Sequence, residues 1–126
     1  MPVTQTYHAL SVDDDLLNVQ LIRALLSDLP LRIAHAHSGQ EAIDYLTRET
    51  PDLIFMDINL PDMFGWQVLD KFKADARFEN SSVIVLTSHT DPVHRLIGNM
   101  MPIAAYLTKP VNPERFREVV RQCLNL

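Results

Sequence analysis

The chain is short of cysteine, of long apolar runs and of positive charge, and each shortage removes a class of protein. Its only cysteine, Cys123, has no partner for an internal disulfide. That fits a reducing cytosol, and the residue itself reads as a small helix side chain facing the core. No apolar run approaches the roughly 20 residues of a membrane-spanning helix. Met1-Pro2-Val3-Thr4-Gln5-Thr6 lacks the charged-then-apolar layout of a secretory signal. A cytoplasmic protein without membrane contact is therefore expected. Lys and Arg number 11 against 16 Asp and Glu, a formal net charge of −5, which argues against direct nucleic-acid binding. Internal repeats and low-complexity tracts are missing. What remains is 126 residues, 47% of them hydrophobic, enough for one domain with a real core but not for two.

The organising stretch is Asp52-Leu53-Ile54-Phe55-Met56-Asp57. Four apolar residues end abruptly in a carboxylate, and the loop formers Asn59, Pro61, Asp62 and Gly65 follow. A short unbroken apolar run of this kind predicts a strand buried on both faces of a parallel sheet. Around it, strands are expected at 7–12, 31–36, 83–86 and 104–107. A helix is expected from Leu16, with Leu17, Leu21, Ala24 and Leu25 as its inner stripe. Ser38 to Glu41 forms a capping box that opens a second helix, with Ala42, Ile43 and Leu46 inward. Trp66, Val68, Leu69 and Phe72 mark a third helix. Asp91-Pro92 opens a fourth, carrying a stripe of Val93, Leu96, Ile97 and Met100, and Asn112-Pro113 opens a fifth, with Phe116, Val119, Val120, Cys123 and Leu124 inward. Five strands alternating with five helices demand a mainly parallel sheet with right-handed crossovers and helices on both faces. The alternating polarity of Leu31 to Ala36 makes the second strand an edge, which favours the order 2-1-3-4-5. His35 and His37 share a face of that strand, but no third ligand lies nearby, so they read as two partly exposed histidines.

In such a sheet the carboxyl ends of the strands meet on one edge, where open α/β sheets place their ligands. That edge collects Asp13, Asp14, Asp57, Thr87 and Lys109. At 4 Å and an effective dielectric of 20, each like-charged pair costs about 4 kcal/mol. A cation must offset the crowding. Lys109 is one candidate and Mg²⁺ another, since hard carboxylate oxygens suit it.

Val12-Asp13-Asp14-Asp15, Asp57 ahead of Leu60-Pro61 and Gly65, Thr87-Ser88, and Tyr106-Leu107-Thr108-Lys109-Pro110 together resemble a response-regulator receiver domain of two-component signalling. The resemblance covers about residues 7–124 of a single domain spanning 1–126. It implies a flavodoxin-like (βα)5 three-layer sandwich, and the order 2-1-3-4-5 is partly borrowed from it. It implies that Asp57 accepts a phosphoryl group from a histidine kinase or histidine phosphotransfer protein. Asp13, Asp14, Asp57 and the backbone carbonyl of Asn59 would hold Mg²⁺, with Asp14 a more direct ligand than Asp13. Thr87 would bond the phosphoryl oxygen, Lys109 would pair with it, and Thr87 and Tyr106 would form the switch. A face made by the fourth helix, fifth strand and last helix would engage a downstream partner or a second copy. Asn59 and His89, two residues past Asp57 and Thr87, are expected at the rim of the site, where they would tune the lifetime of the phosphoryl group.

Three features depart from the family. Phe64 stands before Gly65 where Asp is common, Ser11 polarises a usually aliphatic strand, and residues 98–103 leave the length of the fourth helix open. Met100, Met101 and Ile103 are expected mainly as core packing, with an adaptable apolar partner surface as the other reading. Other functions fit less well. A receiver-like interaction module that no longer takes phosphate would not need Asp14, Asp57, Thr87 and Lys109 together. A flavodoxin-like electron carrier would not place three aspartates beside a flavin phosphate. A phosphatase with an Asp nucleophile would need a second Asp where Asn59 stands.

Overall fold

The computed structural model describes residues 5–88 and 91–126. Its strands are β1 (Tyr7–Val12), β2 (Leu31–Ala36), β3 (Leu53–Met56), β4 (Ser82–Thr87) and β5 (Ala105–Thr108). Its helices are α1 (Leu16–Leu25), α2 (Gly39–Arg48), α3 (Gly65–Phe72), α4 (Pro92–Met100) and α5 (Pro113–Leu124), with one 3-10 turn over Ala76–Phe78. All neighbouring strands pair in parallel, in the order β2-β1-β3-β4-β5. The parallel pairing is as the alternation of elements demands, and the arrangement is the flavodoxin-like one that the family resemblance implies.

The sheet lies between two apolar layers. Leu10, Val12, Ile54, Met56 and Val85 pack against α2 and α3 through Ala42, Leu46, Val68 and Leu69. Ala9, Leu53, Phe55, Ile84 and Leu86 pack against α1 and α5 through Ile22, Leu26, Phe116 and Val120. Alternate side chains of each strand thus serve opposite layers, and every residue of β3 is buried, as its unbroken apolar run demands. The inner stripe expected for α5 is present: Phe116, Val119, Val120 and Leu124 are buried, and Cys123 packs half-buried beside them.

Helix α1 corrects the sequence reading. Its buried residues are Val19 and Ile22, followed by Leu26, whereas Leu16, Leu17 and Leu21 are exposed, Leu17 to 74%. Apolar residues occur on both sides of this helix, so periodicity does not choose its inner face. Tertiary contacts choose it: Arg117 of α5 donates to the Leu25 carbonyl at 2.6 Å and to both oxygens of Asp28. Helix α4 corrects it as well. Ile97 and Gly98 turn inward and His94 is half-buried, while Val93, Leu96 and Met100 are exposed. Met101 and Ile103 do pack, half-buried, on the core. Ser11 is buried near the end of β1, and its hydroxyl has no hydrogen-bond partner among the described residues.

Candidate functional site

The ladder continues one residue past three strands and fixes where the polar side chains emerge. Asp13 N–H donates to the Ala36 carbonyl, Asp57 N–H to the Val12 carbonyl and Lys109 N–H to the Thr87 carbonyl, at 3.0, 2.9 and 2.8 Å. These bonds hold Asp13, Asp57 and Lys109 at the carboxyl edge of the sheet. There the Lys109 ammonium lies 2.6 Å from Asp13 Oδ2 and 3.0 Å from Asp57 Oδ2. The Lys109–Pro110 peptide bond is cis. Asp13, Asp57 and Thr87 are buried and Asp14 is exposed.

Electrostatics follow from that burial. Loss of solvent pushes the Asp57 carboxyl above the ordinary carboxylate range, against the opposing pull of Lys109 and the Asn59 N–H, and the nearby Asp13 charge adds to the rise. Burial alone would lower Lys109, but its bonds to Asp13 and Asp57 outweigh burial and raise it. Lys109 is thus favoured in its charged form, while its pull on Asp57 offsets only part of what burial costs that carboxylate.

Asp13, Asp14 and Asp57 each offer an oxygen, and the three oxygens lie within 4.8 Å of one another. Hard oxygen donors of this number, beside an open solvent-facing side, fit a small divalent cation such as Mg²⁺ that keeps several waters. His35 and His37 take no part. The His35 ring bonds the Asp13 backbone carbonyl through Nε2 at 2.8 Å, and His37 pairs with Glu41.

Close contacts hold the loop after β3. Asn59 N–H donates to Asp57 Oδ1 at 3.1 Å, Gly65 N–H donates to the Ile58 carbonyl, and Asn59 and Phe64 form a bridge. A Cβ at position 65 would lie 2.4 Å from the Asp57 carbonyl oxygen, so only glycine allows α3 to start this close to the strand end. Asp62 accepts from the N–H groups of Gly39 and Gln40 at 2.8 and 2.9 Å. Those bonds at the start of α2 hold its carboxyl below the usual range. From its neighbours Asp62 is only a turn residue, and nothing local reveals that it caps a helix more than 20 residues upstream. Phe64 is exposed, and its ring lies 5.3 Å from that of His94. Thr87 ends β4 beside Thr108, and Tyr106 is half-buried on β5. Asn59 is exposed at the rim. His89, the other expected rim residue, lies outside the described residues.

Comparison with known proteins agrees with this geometry. Residues 9–121 match the family described as "Response regulator receiver domain". The response regulator Rre1 of Synechocystis sp. is 34% identical over 91% of this chain, and the polar-differentiation response regulator DivK of Brucella abortus is 31% identical over 94%. The match spans half the length of Rre1 but 97% of DivK, and only 15% of a third relative, the sensor histidine kinase CheAY of Helicobacter pylori. Among solved structures, a CheY-like response regulator receiver domain protein from Methanospirillum hungatei superimposes with a TM-score of 0.86 at 25% identity, covering 96% of this chain and 95% of its own. With family match, topology and the placement of the acidic edge in agreement, the chain belongs to the response regulator receiver domain family.

Proposed function

We propose that this receiver domain, taken as residues 1–126, is a phosphorylation-dependent switch whose phosphoacceptor is Asp57. The observation that carries the proposal is the buried Asp57 carboxylate held 3.0 Å from Lys109 at the carboxyl end of the central strand. An Asp57 oxygen attacks the phosphorus of a phosphohistidine. The new bond is an acyl phosphate P–O bond, the P–N bond breaks, and the imidazole departs with the electron pair. Phosphoryl transfer asks mainly for positioning and charge neutralisation. Lys109 supplies a fixed positive charge for the phosphoryl oxygens, and the Asn59 N–H orients Asp57. Asp13, Asp14, Asp57 and the Asn59 backbone carbonyl would hold Mg²⁺, which supplies further neutralisation when bound. Thr87 then bonds a phosphoryl oxygen, and Tyr106 responds.

The donor is a histidine kinase or a histidine phosphotransfer protein. Leu16, Leu17 and Leu21 form an exposed apolar face on α1, directly after the acidic loop, and support docking of that donor beside Asp57. Exposed Val93, Leu96 and Met100 on α4 support an output face of α4, β5 and α5 for a downstream partner or a second copy.

Incubation with acetyl phosphate and Mg²⁺ tests the proposal by intact mass. The wild type gains one phosphoryl group and Asp57→Asn gains none; an equal gain in both refutes the assignment. Asn59 and His89 tune the lifetime of the product by shielding or orienting the attacking water. Unchanged dephosphorylation rates in Asn59→Ala and His89→Ala would remove that part.

A further inference from the structure

Tyr106 sits in a slot built by three residues that the phosphoacceptor chemistry does not use. Its ring stacks on Trp66 with centroids 6.3 Å apart and planes 24° from parallel. The Arg95 guanidinium lies 5.3 Å from the ring centroid. A Cβ on Gly98 would fall 2.9 Å from Tyr106 Cδ2 and 3.5 Å from Trp66 Cη2, so the absence of a side chain there makes the slot. Trp66 is in turn anchored. Its indole Nε1–H donates to His94 Nδ1 at 3.0 Å. An indole nitrogen only donates, so His94 Nδ1 accepts and its ring proton resides on Nε2. Trp66 lies in the first turn of α3, His94 and Gly98 belong to α4 and Tyr106 to β5, so one hydrogen bond and one stack join three elements. Trp66 is largely buried, so loss of His94 would take from its N–H the partner that shields it from exchange.

We infer that Trp66 is a positioning residue for Tyr106, and that its bond to His94 latches α4 to α3 in the arrangement that precedes phosphorylation. This rests on the reading of Asp57 as phosphoacceptor and adds to it how the switch residue is restrained. A latch that stabilises one of two states lowers affinity for any ligand that favours the other. Loss of a hydrogen bond of ordinary strength should therefore tighten binding of a phosphoryl mimic about five-fold.

NMR separates this inference from the reading beneath it, because Trp66 is the only tryptophan and gives the only indole N–H signal. Without any mimic, His94→Leu should shift that signal, speed its exchange with solvent and move the Tyr106 resonances. His94→Gln, which keeps an acceptor, should restore them toward wild type. If Tyr106 is unmoved in His94→Leu, or if Leu and Gln act alike, the latch does not exist. With Mg²⁺ and beryllofluoride, the wild-type indole signal should move together with the Asp57 amide, and the titration midpoint should fall about five-fold in His94→Leu. An Asp57 amide that never moves refutes the phosphoacceptor reading, while the mimic-free comparison still decides the latch. An Asp57 amide that moves while the indole stays fixed overturns the inference itself.

Discussion

Asp57 shows how the fold makes an anion costly and then restrains it. Burial raises its carboxyl above the ordinary value of 3.8, so the folded state holds the proton more tightly than the unfolded chain does. By linkage, the ionised group costs stability above its folded value, and that cost fades as pH falls through the folded value toward 3.8. Asp57→Asn should therefore raise the melting temperature at neutral pH, with the gain shrinking in acid; thermal melts across pH 3–8 check this. Lys109 is also raised, so its contribution too falls as pH rises, although here it is the charged form that the fold favours. Its bonds to Asp13 and Asp57 stabilise the fold below its ordinary 10.5 and are lost as pH rises through its raised value. Ser11 is a simpler case, a buried hydroxyl without a partner among the described residues. A buried unsatisfied group costs about 1–3 kcal/mol. Ser11→Ala should accordingly stabilise the protein by about 1 kcal/mol, read as a higher urea midpoint at unchanged slope.

Among the elements, α1 is where packing overrules pattern. Val19 and Ile22 reach the core while Leu17 faces solvent. Ile22→Ala should cost about 2–5 kcal/mol through the cavity it leaves. Leu17→Gln should stay within about 0.5 kcal/mol of wild type. Urea denaturation distinguishes the two, and equal losses would mean that the helix is rotated from its described position. Helix α3 begins under a different constraint, the 2.4 Å separation that forbids a Cβ on Gly65. That close approach places the start of the helix against the Asp57 backbone.

Seen as a whole, the molecule concentrates negative charge on one edge of its sheet. Asp13 and Asp57 share the single Lys109 ammonium, and Asp14 adds a third carboxylate within 4.8 Å. A divalent cation that binds only the folded state stabilises it by mass action, about 2.7 kcal/mol at 100 times its dissociation constant. Mg²⁺ should thus raise the melting temperature saturably at constant ionic strength. Asp14→Ala should lose most of that rise while melting higher than wild type without metal, because repulsion is relieved. Differential scanning calorimetry with and without Mg²⁺ reads both effects. Among the described residues no helix is long and apolar enough to cross a membrane.

The sequence by itself determined the alternation of elements, the central buried strand and the identity of the carboxylates and lysine at the strand ends. These follow from local causes: apolar runs, caps and turn residues act over a few neighbours, and parallel topology then sends every strand end to one edge. Tertiary structure alone decided the inner faces of α1 and α4, the capping of α2 by Asp62, and the attachment of His35 to the Asp13 carbonyl. It also decided that Trp66, His94, Gly98 and Tyr106 meet. Apart from helix faces on which apolar residues point both ways, each of these is a contact between separate elements, most of them 20 or more positions apart. Spacing along the chain carries no information about such contacts, because they arise only when separate elements pack against one another.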